Sequence, residues 1–305
     1  MMETQIAPKS LKKGDTIAII STARKISKEE LQAAINIIEA LGYKYKLGKN
    51  LFKIDHQFAG TPQQRVSDLH DMYLDKDVDA ILCARGGYGT VQLLPLIDNN
   101  IINQNPKWLI GYSDVTVLHS FINVNSKMQS IHASMPINFK DYTIKSKSIT
   151  SLFGLLEGEK NNYSIAPSKY NVKGEAEGEI VGGNLSIIYS LRGTPADIET
   201  KDKILFIEDL DEYLYHIDRI MMNLKVGEKL SQLKGLVVGG MSDMHDNDTA
   251  FGRSAKQIIL DAVKEYNYPV LFDFPAGHIT ENYALPLGRK VKISVQKSEA
   301  SLYYL

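Results

Sequence analysis

Hydrophobic and polar positions along the first half of the chain predict strands and helices in turn. The runs "DTIAIIS" and "VDAILCA" predict strands, and the second, apolar throughout, is expected to be buried on both faces. Between them, "SKEELQAAINIIEALG" has apolar residues at helical spacing, a capping box of Ser27 and Glu30, and Gly42 at its end. This alternation predicts a mostly parallel sheet with helices on both faces.

The pattern continues to about residue 140 and then changes. "TPQQRVSDLHDMYLD", "TVQLLPLI" and "DVTVLHSFINV" predict helices, with "KWLIGY" as a strand between the last two. Residues 141–171 are rich in Lys, Ser, Asn and Thr, with one short helix near "SITSLFGLLEG". The second half predicts a smaller mixed β domain that ends in two antiparallel strands. We expect an N-terminal α/β domain (1–140), a linker (141–171) and a C-terminal β/α domain (172–305).

Composition narrows the class of protein. Of 305 residues, 44% are apolar and 23% are charged, which is typical of a globular protein. The formal net charge of -1 argues against nucleic acid or an anionic membrane surface as a partner. The single cysteine, Cys83, allows neither an internal disulfide nor a cysteine-based metal cluster. The first residues lack a signal-peptide pattern and no apolar run reaches ~20 residues, so we expect a cytoplasmic, soluble protein.

Four loops are candidates for chemistry, because each follows an apolar strand and open α/β sheets bind ligands beyond the carboxyl ends of their strands. They are "ARGGYGT", "GYSD", "IEDLDE" and "FPAGHITENYALPLG". In the first, Gly86, Gly87 and Gly89 leave backbone amides open to an anion, although neither common nucleotide-binding spacing is present. A phosphate site, an oxyanion hole and a plain tight turn all remain open for this loop.

Ser113, in "GYSD", lies on the expected turn from strand to helix. Such a turn can expose a nucleophilic hydroxyl, but the α/β-hydrolase spacing G-x-S-x-G is absent. Capping of the following helix by Ser113 or Asp114 is the more ordinary explanation, and this stretch alone favours it. A serine nucleophile would also need a base and a carboxylate that orients the base.

Among the seven histidines, His278 has the most favourable position for that base, because it lies in a loop after a buried strand. Glu208 and Asp209 end the strand "KILFI", where an acid would be costly to bury without a partner. An ion pair between Glu208 and an arginine such as Arg219 is the alternative to a catalytic role.

Together the four loops resemble the LD-carboxypeptidase family of serine peptidases, which includes muramoyl-tetrapeptide carboxypeptidase and the microcin C self-immunity peptidase. The matching stretches cover nearly the whole chain: "GDTIAIIS", "FAGTPQQRVSDLHDMYLD", "ILCARGGYGT", "LIGYSDVTVLH", "GGNLSII", "ILFIEDLDEYLYHIDRIMMNL" and "FPAGH". The resemblance implies a triad of Ser113, Glu208 and His278, with an oxyanion hole formed by the backbone amides of Asp114 and Gly87. It also implies an N-terminal α/β domain like class I glutamine amidotransferases, a C-terminal swivelling β/α domain and a homodimer.

The reaction that the resemblance implies is a serine carboxypeptidase reaction without metal or cofactor. An L,D-amide bond is cleaved and terminal D-Ala leaves a murein tetrapeptide during cell-wall recycling in the cytoplasm. Arg85, beside the glycines, is the candidate to bind the substrate carboxylate, and a salt bridge at the domain interface is its alternative.

Two other functions stay open: a microcin C-type immunity peptidase acting on aminoacyl-nucleotide amides, and a non-catalytic module that binds an anion or peptide. The only tryptophan, Trp108, is expected in a core strand, where it is poorly placed to stack on a base, and the sixteen tyrosines are the alternative.

Overall fold

Two β-sheets organise the computed structural model, which describes residues 5–305. Their strands, in chain order, are β1 (Thr16–Ile20), β2 (Lys44–Leu47), β3 (Ala80–Cys83), β4 (Trp108–Gly111), β5 (Ser130–His132), β6 (Asn162–Ile165), β7 (Gly174–Asn184), β8 (Ile204–Leu210), β9 (Gly235–Ser242), β10 (Val270–Leu271), β11 (Leu285–Leu287), β12 (Lys290–Val295) and β13 (Ala300–Tyr304). The α-helices are α1 (Lys28–Ala40), α2 (Pro62–Leu74), α3 (Asn99–Gln104), α4 (Thr116–Asn125), α5 (Lys147–Leu156), α6 (Leu185–Ser190), α7 (Leu214–Val226) and α8 (Ala255–Val263).

The first sheet has six strands in the order β11-β5-β4-β3-β1-β2. All neighbours pair in parallel except β11, which is antiparallel to β5. The mostly parallel sheet expected from the alternating pattern is therefore present. Strand β3 is buried along its whole length, and the thiol of Cys83 is buried with it, which raises its pKa to about 12. The carboxyl ends of these strands point toward one edge, where the first two candidate loops lie.

Local sequence signals explain most helix boundaries in this half. Helices α1 and α2 both begin with a capping box, at Ser27 and Thr61, and the first of these confirms the prediction. The helix expected over "TVQLLPLI" is wrong in type, since Thr90–Leu96 forms a 3-10 helix that contains Pro95. Proline has no backbone N–H to donate, so the segment cannot continue as a regular α-helix. The short helix α3 was not predicted.

The second sheet has seven strands in the order β10-β9-β8-β7-β12-β13-β6. Its β10-β9-β8-β7 half is parallel, and β12, β13 and β6 add antiparallel strands to it. The two antiparallel strands expected at the end of the chain are β12 and β13. Strand β11 was not predicted. It precedes β12 and β13 in the chain but pairs with β5 in the first sheet.

The segment interpreted as a linker carries more structure than its composition suggests. Helix α5 lies at the expected place, and β6 adds an edge strand to the second sheet. The hydroxyls of Ser148 and Ser151 accept hydrogen bonds from the backbone amides of Asn282 and Ala284 at 2.9 and 3.1 Å. These bonds fix α5 to the chain that follows His278.

The two sheets are held in contact by buried groups. One cluster of buried apolar side chains extends from Ile17 and Ile110 in the first sheet to Phe206 and Ile293 in the second. At its edge the backbone amide of Asn184 donates to the Thr116 hydroxyl at 3.0 Å. The first turn of α4 is therefore bonded directly to the second sheet. None of the helices within residues 5–305 combines the length and the hydrophobicity needed to cross a lipid bilayer.

Arg65 is the largest polar side chain that is fully buried, and it braces the loops beyond β1 and β3. Its Nη1 donates to the carbonyls of Thr22 and Gly89 at 2.6 and 2.9 Å, and its Nη2 donates to Gln92 Oε1 at 2.6 Å. Because buried carbonyls are costly to leave unpaired, this guanidinium fixes the end of the glycine loop.

Replacement of Arg65 by leucine should lower the free energy of unfolding by about 3 kcal/mol, because buried carbonyls lose their donor. Equilibrium denaturation in urea measures this loss. The control is Arg253→Ala, which removes a 45% exposed side chain paired with Asp261 at 3.1 Å. That change should cost about 0.5 kcal/mol or less. Equal losses for the two variants would contradict the bracing role of Arg65.

Candidate active site

Ser113 lies immediately beyond β4 in a strained backbone conformation. Its φ is +61°, a value that residues other than glycine seldom adopt and that costs about 1 kcal/mol or more. The residue begins a short 3-10 helix, Ser113–Val115, and its side chain caps neither that turn nor α4. The capping explanation that the sequence favoured is therefore wrong for Ser113. A strained turn with a free serine side chain matches the alternative, a nucleophile elbow.

Asp114 does not cap the helix either. Its Oδ2 accepts a hydrogen bond from the backbone amide of Thr90 at 2.8 Å, within the buried interior. The carboxylate thus ties the turn after β4 to the loop after β3, which Arg65 holds from the other side. The two candidate loops of the first sheet form one rigid unit.

The glycines of "RGGYG" are required by close packing. A Cβ on Gly86 would lie 3.1 Å from Ser113 Cβ and 3.2 Å from its Oγ. A Cβ on Gly87 would lie 2.5 Å from Cδ of Arg24, and the φ of Gly87 is +107°. Side chains at these positions would displace either Ser113 or Arg24. Gly86, rather than Gly87, is the glycine in direct contact with Ser113.

Glu208 is fully buried on β8, at a break in the pairing register with β9 between Ile207 and Asp209. A register break of this kind re-aims a side chain. The Nδ1–H of His278 donates to Glu208 Oε2 at 2.7 Å. The ion pair of Glu208 with Arg219 that the sequence left open is not formed, since Arg219 lies over the ring of Tyr215.

The Glu208–His278 pair shifts the protonation of both groups. Burial by itself would raise the pKa of Glu208, but the charge of His278 and hydrogen bonding to histidine outweigh it and lower the pKa to about 2. Burial would likewise lower the pKa of His278, but the Glu208 carboxylate raises it above its ordinary value. The pair therefore consists of a permanent carboxylate and an imidazole made more basic by it.

Asp209, the neighbour of Glu208, points to the opposite face of the strand. Its oxygens accept from Asn184 Nδ2 and from the backbone amide of Ser186, both at 2.9 Å. Burial, and then the charge of Glu208, raise the pKa of Asp209 to about 7. This acid supports the start of α6 and is separate from the His278 pair.

A cleft of about 430 Å³ brings the candidate residues together. Its walls come from both sheets and are formed by Arg24, Arg85, Gly86, Gly87, Tyr112, Ser113, Met135, Ile137, Leu210, Asp211, Glu212 and His278. The ring of His278 packs on Tyr112 with 4.8 Å between centroids. Within residues 5–305 no hydrogen bond joins His278 to Ser113 Oγ, although both residues line the cleft. No group of three His, Cys, Asp or Glu side chains in this part of the chain is arranged to hold a metal ion.

Two cleft residues were missed by the sequence analysis. Arg24 follows β1, so the rule about carboxyl ends of parallel strands could have identified it. Tyr112 precedes Ser113, but no sequence signal indicates that its ring would support the histidine of the other sheet.

Comparison with known proteins agrees with this geometry. Residues 17–133 match the LD-carboxypeptidase N-terminal domain, and residues 177–293 match the LD-carboxypeptidase C-terminal domain. A probable murein peptide carboxypeptidase of Bacillus subtilis strain 168 is 37% identical over 297 residues, which are 96% of this chain and 93% of that protein. The chain belongs to the LD-carboxypeptidase family.

More distant members of this family share the fold. The crystal structure of muramoyltetrapeptide carboxypeptidase from Oxalobacter formigenes superposes with a TM-score of 0.87 at 24% identity, covering 95% of this chain and 98% of the other. The microcin C7 self-immunity protein of Escherichia coli is 25% identical over 95% of this chain and 93% of its own length. The mixed α/β fold with two sheets and the carboxypeptidase class expected from the sequence are confirmed.

In this LD-carboxypeptidase, the pKa of His278 should lie above 6.5 and should fall below 6.5 in Glu208→Gln. Burial lowers the pKa, and the Glu208 carboxylate is the strongest influence that raises it, so its removal leaves burial opposed only by the weaker effect of the Asp209 charge. NMR titration of the His278 ring protons measures both values without any substrate. Glu265→Gln, which changes an exposed carboxylate paired with Lys225, serves as the control and should leave the pKa of His278 unchanged. An unshifted His278 in Glu208→Gln would disprove the electrostatic coupling.

Proposed function

We propose that Ser113 is the nucleophile of a serine carboxypeptidase, with His278 as its base and Glu208 as the carboxylate that orients the base. His278 Nε2 takes the Ser113 proton while Oγ attacks the carbonyl carbon of an L-residue. The tetrahedral intermediate collapses, the C–N bond breaks and His278 returns the proton to the leaving amine. Water, activated by the same imidazole, then hydrolyses the acyl-enzyme.

One observation carries this proposal: a strained serine and the histidine of a buried Glu–His pair, contributed by different halves of the chain, line the same cleft. Backbone strain and a desolvated ionisable pair are both costly, and such features concentrate at catalytic sites. A module that only binds an anion needs neither. The missing Ser113–His278 hydrogen bond is consistent with catalysis, since such contacts often tighten only when substrate binds.

We propose that the backbone amides of Asp114 and Gly87 stabilise the oxyanion. Asp114 follows the nucleophile, which is the usual place for one donor, and the glycine loop lies against Ser113 on its other side. Gly86, which packs directly on Ser113, is the alternative glycine donor. The tether between Asp114 and Thr90 keeps both loops in place during the reaction.

The substrate that fits best is a murein tetrapeptide, from which a terminal D-Ala is released. The relative from Bacillus subtilis is named for murein peptides. In this chain the first half of the protein contributes Arg24 and Arg85 to the cleft, and the second half contributes Asp211 and Glu212. Cations on one wall and carboxylates on the other suit a peptide that has a free carboxylate and the ammonium group of a diamino acid.

Arg24 is better placed than Arg85 to bind the substrate carboxylate. Arg85 donates to the Lys25 carbonyl at 3.2 Å and lies 3.7 Å from Glu30 Oε1, so its charge is partly compensated. Arg24 lies against Gly87 and makes no ion pair or side-chain hydrogen bond within residues 5–305. A guanidinium that lies beside the oxyanion loop and forms no ion pair within the described residues is the natural binding group for a carboxylate.

The immunity-peptidase alternative is less well supported by the cleft. A nucleotide base needs an aromatic side chain to stack on, and Trp108 is 4% exposed, with its indole N–H bonded to the Lys9 carbonyl at 3.0 Å. Tyr112 is the aromatic residue besides His278 among those that line the cleft, and it is itself 7% exposed. Hydrolysis of an aminoacyl sulfamoyl adenylate in preference to a tetrapeptide would reverse this conclusion.

We also propose the wider properties that the family resemblance implies. They are a division at residues 140 and 171, an N-terminal domain like class I glutamine amidotransferases, and a C-terminal domain that swivels. They also include a homodimer, a cytoplasmic location and a role in peptidoglycan recycling. Both sheets contribute residues to one cleft. This arrangement supports a functional role for movement of the two halves relative to each other.

Ser113→Ala should reduce the release of D-Ala from a murein tetrapeptide by about 1,000-fold or more, because the acyl-enzyme cannot form. A coupled D-amino acid assay measures the turnover. Ser120→Ala is the matched control, since it removes a buried hydroxyl on α4 that has no hydrogen-bond partner in the described chain. The control should retain wild-type activity. A Ser113→Ala variant with more than a few per cent of wild-type activity would refute the assignment of the nucleophile.

Arg24→Met should raise the KM for the tetrapeptide by about 10-fold or more, because one charge-assisted contact to the carboxylate is lost. Arg85→Met should change KM by less than about threefold. A substrate with an amidated C-terminus provides the second test, since it should be a poor substrate for the wild type and no poorer for Arg24→Met. The opposite order of the two variants would assign the carboxylate to Arg85.

A further inference from the structure

A second histidine lies behind the Glu208–His278 pair. His132, on β5, is fully buried. Its ring is in edge contact with Tyr112 and Phe206, at centroid distances of 5.8 and 4.9 Å. The sequence analysis assigned it no role, and the proposed mechanism does not use it.

His132 and Glu208 are unusual because each has an unsatisfied polar atom in the interior. Within the described chain, neither ring nitrogen of His132 has a hydrogen-bond partner. Oε1 of Glu208 has none either. The free atoms face each other, with 3.9 Å between His132 Nε2 and Glu208 Oε1. This distance is too long for a hydrogen bond and too short for a water molecule to lie between the two atoms.

An unpaired polar atom in a protein interior carries a large free-energy cost, and this cost is greatest for the oxygen of a charged carboxylate. A relative movement of about 1 Å would bring Nε2 and Oε1 to hydrogen-bonding distance. Small adjustments of this size are expected when the walls of a cleft close on a ligand. The two groups belong to different sheets, so a movement of one sheet relative to the other changes the distance between them.

We propose that His132 is a positioning residue, which donates its Nε2–H to Glu208 Oε1 when the cleft closes on substrate. This inference rests on the proposed function. The new bond would fix the second oxygen of the carboxylate whose first oxygen orients His278. Glu208 would then be held from both sheets, by His278 from the second and by His132 from the first.

The position of His132 connects this bond to the nucleophile. His132 pairs with Gly111 on β4, two residues before Ser113. A contact between His132 and Glu208 therefore sets the distance between the strand that presents Ser113 and the carboxylate that orients the base. In the proposed closure, the Ser113–His278 hydrogen bond, which the described residues lack, and the His132–Glu208 bond would form in the same movement.

The groups around His132 leave Glu208 as its natural partner. His119, on α4, is also fully buried, but its two ring nitrogens are bonded to Ser130 Oγ at 2.8 Å and to the Gly111 carbonyl at 2.9 Å. Burial lowers the pKa of His119 to about 3, so it stays neutral. Tyr112 contributes its ring edge, and His278 is reached only through Glu208.

Two substitutions at His132 separate positioning from packing. His132→Phe keeps an aromatic ring between Tyr112 and Phe206 but removes the donor, and His132→Gln keeps a donor near the position of Nε2. We expect His132→Phe to lower kcat about 10- to 100-fold with KM within about twofold, and His132→Gln to recover most of the loss. In the Phe variant the acid limb of the kcat profile should move to higher pH by about 0.5 unit, because an unshared Glu208 charge makes His278 more basic.

An NMR titration of His278 in the presence of the tripeptide product supplies a readout that needs no turnover. The pKa of His278 should rise in His132→Phe and stay near the wild-type value in His132→Gln. His119→Gln is the control for loss of a buried imidazole, and it should lower the melting temperature without moving this titration.

Three outcomes would overturn the proposal. The first is an unchanged His278 titration and kcat in His132→Phe. The second is equal impairment of the Phe and Gln variants, which would indicate packing alone. The third is a shift in His119→Gln as large as that in His132→Phe. Absence of peptidase activity in the wild type would instead refute the proposed function, and the titrations with the tripeptide present, which need no turnover, would still test the His132–Glu208 contact.

Discussion

The burial of the Glu208 carboxylate is the constraint on which the second half of the site depends. An ionised group without solvent must be paired, and His278 supplies the partner at 2.7 Å. The loop after β10 must therefore approach β8 closely, and only a residue without a Cβ fits there. A Cβ on Gly277 would lie 2.7 Å from Glu208 Oε2. This contact explains the sequence "FPAGH". Gly277 packs against Glu208, and His278, the next residue, binds the carboxylate.

The chain that carries His278 connects the two sheets, and this explains how a divided site can be accurate. Its beginning, β10, lies in the second sheet, and its end, β11, pairs with β5 in the first. His278 is thus fixed between both halves instead of belonging to one. Helix α5 holds the same segment through Ser148 and Ser151. The proposed movement of the two halves would therefore act on an imidazole that the path of the chain fixes between them.

Local patterns predicted the elements well, and combinations of loops predicted which residues meet. The capping boxes of α1 and α2, the buried strand β3 and the antiparallel pair β12–β13 all follow from short-range signals. Contacts between distant segments lie beyond such signals. The return of β11 to the first sheet depends on pairing across more than a hundred residues. The local stretch favoured Ser113 as a helix cap because its φ of +61° is invisible in its sequence. Pro95, in the apolar run "TVQLLPLI", was the one local signal that should have prevented the prediction of an α-helix there.

Arg24 and His132 illustrate two different limits of sequence reasoning. Arg24 could have been selected by its place beyond β1, but four other strands offer polar residues at the same edge, and only packing against Gly87 distinguishes it. His132 had no such signal, since a histidine inside a short buried strand is ordinarily a packing residue. Its interest arises only because its nitrogens and Glu208 Oε1 are all unpaired and lie 3.9 Å apart. This unsatisfied pair across two sheets is the observation on which the proposed closed arrangement rests, because a small relative movement would satisfy both atoms.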